Sequence, residues 1–147
     1  MRVPEPPTES YRRMIQRMGA LEPDIRDMAH AANFATLTVN LGSGRAMTHV
    51  MWVDADDDHV LINTEVHRAK FKAVERDARV TVTVMVRDDP YSYAEVRGRV
   101  VETVRGPEAR AHIDTLSQKY QGRDYDPARI QSERVILRIA PDIQHVR

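Results

Sequence analysis

Hydrophobic side chains recur at every second position over much of this chain. In "NFATLTVNL", Ala35, Leu37, Val39 and Leu41 fall on one side and Thr36, Thr38 and Asn40 on the other, the mark of a strand with one buried face. "GSG" at 42–44 supplies a turn, "MTHVMWV" returns as a second strand, and "HVLINT" reads as a third. "RVTVTVMV" sets Val80, Val82, Val84 and Val86 against Thr81, Thr83 and Met85. "YAEVRGRVVETV" continues the rule with Ala94, Val96, Gly98, Val100 and Val104 on a shared side. A glycine inside such a run marks a bulge, or a bend where another backbone comes close, and Gly98 is that position. "RVILRIAP" closes the sheet.

Elsewhere the period changes. Residues 1–10 hold Pro4, Pro6 and Pro7, which remove backbone donors and forbid helix, so a disordered lead-in is expected. Residues 11–31 favour helix but are interrupted at Gly19 and Pro23, which predicts two short helices, "EPD" opening the second. "HRAKFKAVER" predicts a helix ending near Asp77, and another runs from about Pro107 to Tyr120, with Gly122 after its end. Strands joined mostly by hairpins, with helices at the margins, predict a mostly β protein with accessory helices (α+β), a small antiparallel barrel. The 147 residues suit one domain, here 11–147.

Charge narrows the function classes. The 22 basic and 22 acidic side chains cancel, so nothing global favours nucleic acid or a membrane, and any electrostatic selectivity is local. With no cysteine, thiol metal sites and disulfides are excluded. "MRVPEPPTES" lacks the apolar core of a signal peptide and no stretch approaches a membrane span, so a cytoplasmic protein is expected.

Two motifs compete within "WVDADDDHVLINTEVHRAK". Asp54, Asp56, Asp58 and Glu65 occupy the first, third, fifth and twelfth positions of a calcium loop, but His59 stands where the turn needs glycine, and the flanks are strands. "DADDD" is therefore read as a solvated hairpin tip. The six histidines show no ligand spacing, so no metal is expected. "GSGRAM" lacks the third glycine of a dinucleotide fingerprint and is a turn. No Ser, His and acid set can be assembled, so the catalytic residues are not identified. Arg68, Lys70 and Lys72, by contrast, crowd the first turns of a helix, where cations oppose the macrodipole unless an anion sits there. An ordinary solvated helix face is the competing reading.

The ordered set "FATLTV", "GRAMTHVMWV", "HVLINT", "HRAKFKAVERDARVTVTVMV", "PYSYAEVRGRVVET" and "RVILRIAP" resembles the split β-barrel flavin and deazaflavin oxidoreductases, the pyridoxamine 5′-phosphate oxidase-like superfamily with its FMN-binding barrel. The likeness spans about residues 20–145 and is greatest to the short actinobacterial branch that uses the deazaflavin coenzyme F420. It implies that Arg68 and Lys70 approach the phosphate of the cofactor, and that Thr48, His49, Val50 and Met51 run beside its ring. Asn63 and Thr64 would touch phosphate or ribityl oxygens, and Tyr93, from "PYSY", would contribute across the interface of a homodimer. Ala78 departs from the proline of many relatives, which loosens a turn. The ending "PDIQHVR" lacks the Trp and Arg motif that holds pyridoxamine phosphate, which argues against vitamin B6 oxidation.

The resemblance thus implies a coenzyme F420-dependent reductase that passes a hydride to a small conjugated acceptor. Alternatives are an FMN-dependent oxidoreductase and a non-catalytic protein that binds a flavin, deazaflavin or tetrapyrrole. A cofactor that brings its own hydride needs position and dryness from the protein rather than a catalytic dyad.

Overall fold

The computed structural model describes residues 2–6, 8–10 and 19–147. Seven strands form one antiparallel sheet: β1 (Phe34–Asn40), β2 (Ala46–Trp52), β3 (Asp54–Ala55), β4 (Val60–Glu65), β5 (Arg79–Val86), β6 (Asp89–Val104) and β7 (Arg134–Val146). Their spatial order is β2-β1-β5-β6-β7-β4-β3. The sheet curls into a split β-barrel whose two ends are consecutive in the chain, because β2 runs through Val53 directly into β3. Three α-helices lie wholly within the described residues: α1 (Pro23–His30), α2 (Ala69–Arg76) and α3 (Pro107–Gln121). The first of the two helices expected over 11–31 lies largely outside the described residues, as does part of the lead-in; the second is α1, with proline in its first turn.

Alternation decides which face enters the barrel. Ala35, Leu37 and Val39 of β1 and Val80, Val82 and Val84 of β5 are at most 4 % exposed, each such valine or leucine contributing roughly 1.5–3 kcal/mol by leaving water. Ile25 and Ala29 of α1, one helical turn apart, and Phe71 and Val74 of α2 complete this core. Helix α3 takes a different position. Its Ala109 packs with Leu61 of β4 and Ile136 of β7 on the outer side of the barrel. β4 is consequently covered on both sides, and all six of its residues are buried.

Gly98 marks a shift of register between β6 and β7. A Cβ there would lie 2.1 Å from the carbonyl oxygen of Ala140, so the backbones meet where the sequence pattern placed a close approach. Gly122, with φ 71°, ends α3 in the left-handed conformation, and its N–H donates to the Gln118 carbonyl.

Candidate functional site

Trp52, at the end of β2, organises the surface between β2 and α3. Its ring lies parallel to that of Tyr120, at 5.1 Å between centroids, and Tyr120 in turn stacks at 5.6 Å on Phe34. The Tyr120 hydroxyl donates to the Asn33 carbonyl and accepts from the Val53 N–H at 3.1 Å. Lys119 Nζ donates to the carbonyls of Val53 (2.5 Å) and Ala29 (3.1 Å). These contacts pin the end of α3 to the β2–β3 junction. A cleft of about 310 Å³ remains, walled by Val50, Trp52, Ile113, Leu116 and Tyr125, with Asn63, Arg129 and Arg134 among its polar lining. An apolar wall with a few converging polar groups is the usual form of a small-molecule site.

At the β4 end of this cleft two arginines flank one carboxylate, with a lysine close by. Glu65 is 1 % exposed; it accepts from the backbone N–H groups of Gln131 (2.6 Å) and Ser132 (2.9 Å). Its other oxygen lies 3.5 Å from Arg134 and 3.9 Å from Arg68. Burial raises the Glu65 pKa, but the Ser132 and Gln131 donors and then Arg134 outweigh it and hold the group below its ordinary value. Lys70 has no such partner. Among the described residues, its ammonium contacts only the Met51 sulfur, at 3.3 Å. Burial first, then the Arg68 and Arg134 charges, lowers its pKa. A half-buried cation beside two others, with the single carboxylate already engaged, is a site short of one anion.

The expected site residues divide between faces. Val50, Met51 and Asn63 line the cleft, with Lys70 against Met51 and Arg68 against Glu65. Arg68 stands at the N-cap of α2, one residue before the helix begins. His49 pairs with Leu37 and so lies on the barrel-facing side of β2, while Thr48 pairs with Thr38 on the outer side, their hydroxyls 2.8 Å apart. Thr64 alternates with Asn63 and belongs with Ile62 and the barrel interior, away from the cleft. Tyr93 pairs with Met85 on the outer sheet face, its ring 6.3 Å from that of His145, outside the cleft. Glu65, Arg134, Trp52 and Tyr125 were not anticipated. A glutamate read as the last position of a calcium loop and an arginine opening a strand carry no local signal of being paired.

The acidic run is also more structured than a solvated tip. Asp57 and Asp58 are exposed, but Asp56 accepts from the N–H groups of Asp58 (2.9 Å) and His59 (2.7 Å) and shapes the turn itself. Asp54 is half-buried between two histidines, its oxygens 3.2 Å from His30 Nδ1 and 3.0 Å from His112 Nε2. No group of three or more potential metal ligands occurs among the described residues.

The pyridoxamine 5′-phosphate oxidase sequence profile matches residues 21–145. The chain belongs to that family. The family lies within a flavin-binding oxidoreductase superfamily, and the split barrel is its fold. Among solved structures, an F420 reductase superposes with a TM-score of 0.74 at 23% identity, over 85% of this chain and 98% of its own. A conserved hypothetical protein of Mycobacterium tuberculosis gives 0.65 at 21% identity, over 87% and 85%. General stress protein 26 of Bacillus anthracis gives 0.59 at 17%, over 83% and 89%. These similarities concern the fold. No curated protein matches the chain. No helix among the described residues is long and apolar enough to cross a membrane.

Proposed function

We propose that this family member is a coenzyme F420-dependent oxidoreductase, in which Lys70 and Arg68 hold the phosphoryl group of the deazaflavin and a small conjugated acceptor is reduced in the adjoining cleft. The observation that carries this reading is Lys70: half-buried, beside Arg68 and Arg134, and without a carboxylate among the described residues. A phosphate oxygen would supply the missing counter-charge through a charge-assisted hydrogen bond. Val50, Trp52 and Tyr125 offer a largely apolar wall, the two rings set edge to face, against which a ring system and an acceptor can be held at contact distance. The cofactor, when bound, supplies the hydride; the protein's part is to anchor one end, exclude water and orient.

The same reading includes a homodimer with the cleft at the subunit boundary. Its support is the outer face of β1, β2 and β5, where the hydroxyl side chains Thr36, Thr38, Thr48, Thr81 and Thr83 are left partly or fully exposed. Val50 is 68% exposed at its edge. Tyr93 lies on the adjoining strand β6, in a position suited to a contact with a second copy rather than with its own cleft.

Fluorescence titration tests the assignment. Coenzyme F420 is expected to bind more tightly than FMN, and Lys70→Ala to weaken it roughly tenfold or more. The same substitution should leave the thermal midpoint unchanged or raise it, since it removes a half-buried ammonium that two arginines repel. Equal affinity for FMN would refute the deazaflavin preference, and an indifferent Lys70→Ala would remove the anchor. Oxidation of the reduced cofactor by quinones or enoates is the expected turnover; tight binding with every acceptor left unconsumed would leave a carrier protein instead.

A further inference from the structure

Asn63 lines the cleft, yet its amide is committed to the protein. Its Nδ2 donates to the Ala109 carbonyl at 3.0 Å. Its Oδ1 accepts from Arg134 Nε at 2.8 Å. A carbonyl accepts only and a guanidinium donates only, so these two contacts fix which way the amide faces. The second Nδ2 hydrogen meets His112 Nδ1 at 3.1 Å, and that nitrogen must therefore be the acceptor. The imidazole proton is then on Nε2, where Asp54 Oδ2 lies at 3.0 Å. The other Asp54 oxygen faces His30 Nδ1.

The result is a one-way chain that starts at Arg134, which donates to Asn63, Asn63 to His112 and His112 to Asp54; on its other side the same guanidinium pairs with Glu65. Each bond polarises the next in the same sense, which strengthens the Asn63 carbonyl as an acceptor for Arg134. Its members come from β3, α3, β4 and β7. His112 is well enclosed, with 10% of its side chain exposed.

We propose that His112, with Asp54 behind it, is a positioning residue for the anion-binding end of the cleft: it holds the Asn63 amide so that Arg134 stays beside Lys70 and Arg68. The inference rests on the phosphoryl-binding reading of that end and adds to it a residue on α3 that touches none of the three cations. Removing the imidazole nitrogens frees one Asn63 hydrogen and loosens the amide. Arg134 then keeps Glu65 and the Tyr125 ring, but its Asn63 acceptor is held by the Ala109 carbonyl alone. The expected deficit falls on the phosphorylated end of a ligand and spares the ring.

Two ligand pairs read this directly: FMN against riboflavin, and coenzyme F420 against the same deazaflavin lacking its phosphoryl-bearing tail. For each protein the ratio of the two affinities reports the phosphoryl contact. His112→Phe keeps the ring volume and is expected to cut that ratio about fivefold or more while affinity for the unphosphorylated partner stays within about twofold. His112→Gln, which carries one acceptor and one donor, should restore most of the ratio. An unchanged ratio in His112→Phe, or a parallel loss for both members of a pair, would show that His112 merely tethers α3 and would overturn the proposal. A wild-type protein with no preference for the phosphorylated ligand would instead overturn the function proposed above, and this inference with it. Nitrogen NMR of the wild-type imidazole provides a check that needs no variant to fold: the proton is expected on Nε2, and a proton found on Nδ1 of a neutral ring would end the argument.

Discussion

Glu65→Ala is expected to cost about 3–5 kcal/mol of folding stability, the scale of breaking a buried ion pair from one side. Arg134, 8% exposed, would lose its only carboxylate within 4 Å among the described residues. The N–H groups of Gln131 and Ser132 would lose the acceptor that holds their loop against the end of β4. In a chain of this size that is a fall in thermal midpoint of roughly 10 °C. Glu65→Gln keeps an oxygen for the two N–H groups and loses only the charge, so its deficit should be about half as large.

Acid adds a second test of the same carboxylate. Its folded pKa lies below the ordinary value of 4.5, the raising effect of burial being outweighed by the Ser132 and Gln131 donors and by Arg134. The contribution of Glu65 is therefore complete above pH 4.5 and is lost as pH falls below that value through the folded pKa. Denaturant melts of wild type and Glu65→Gln should converge as the solution is acidified through that window. A constant gap between them at every pH, or a Glu65→Ala protein as stable as wild type, would show that the carboxylate does not hold this end of the cleft.

Gly98→Ala should cost about 3 kcal/mol, through overlap rather than lost contacts. The added methyl would stand 2.1 Å from the Ala140 oxygen and 3.0 Å from its carbonyl carbon, both main chain. Neither can swing aside as a side chain would, so β6 and β7 must separate at the register shift. A conformational argument does not apply, since Gly98 is absent from the positive-φ glycines Gly44, Gly106 and Gly122. Addition of a methyl group at Gly44, where nothing lies within 4 Å, meets backbone strain but no collision. Chemical denaturation of Gly98→Ala decides the point: a midpoint matching wild type would mean that the strands can part without loss.

Much of the fold was legible because strand patterning is local. The alternation named the buried faces of β1 and of β5 as far as Val84, Val86 being only partly buried beyond a register shift, and the break in side-chain size at Gly98 located the close approach of β6 and β7. The site was legible only in part. Lys70 and Arg68 stood out because cations at the start of a helix break a local electrostatic preference, and the structure sets them against Met51 and Glu65. Asn63 lines the cleft while its neighbour Thr64 faces the barrel interior: β4 is buried on both faces, so its composition hides the alternation that sends the two side chains opposite ways. Asp54 was read as solvated because its neighbours are charged, whereas two histidines from α1 and α3 enclose it.

By itself the sequence determined most of the strands, the inward faces of β1 and most of β5, the ends of α3 and the surplus of positive charge before α2, since each depends on neighbours within a turn or two of chain. The tertiary structure alone decided which charges are answered. Arg134 reaches Asn63 across 71 residues, and His112 reaches Asp54 across 58. Such pairings leave no periodic trace, because a buried polar group needs only one well-placed partner, and the curl of the sheet, not the order of residues, brings that partner within hydrogen-bonding distance.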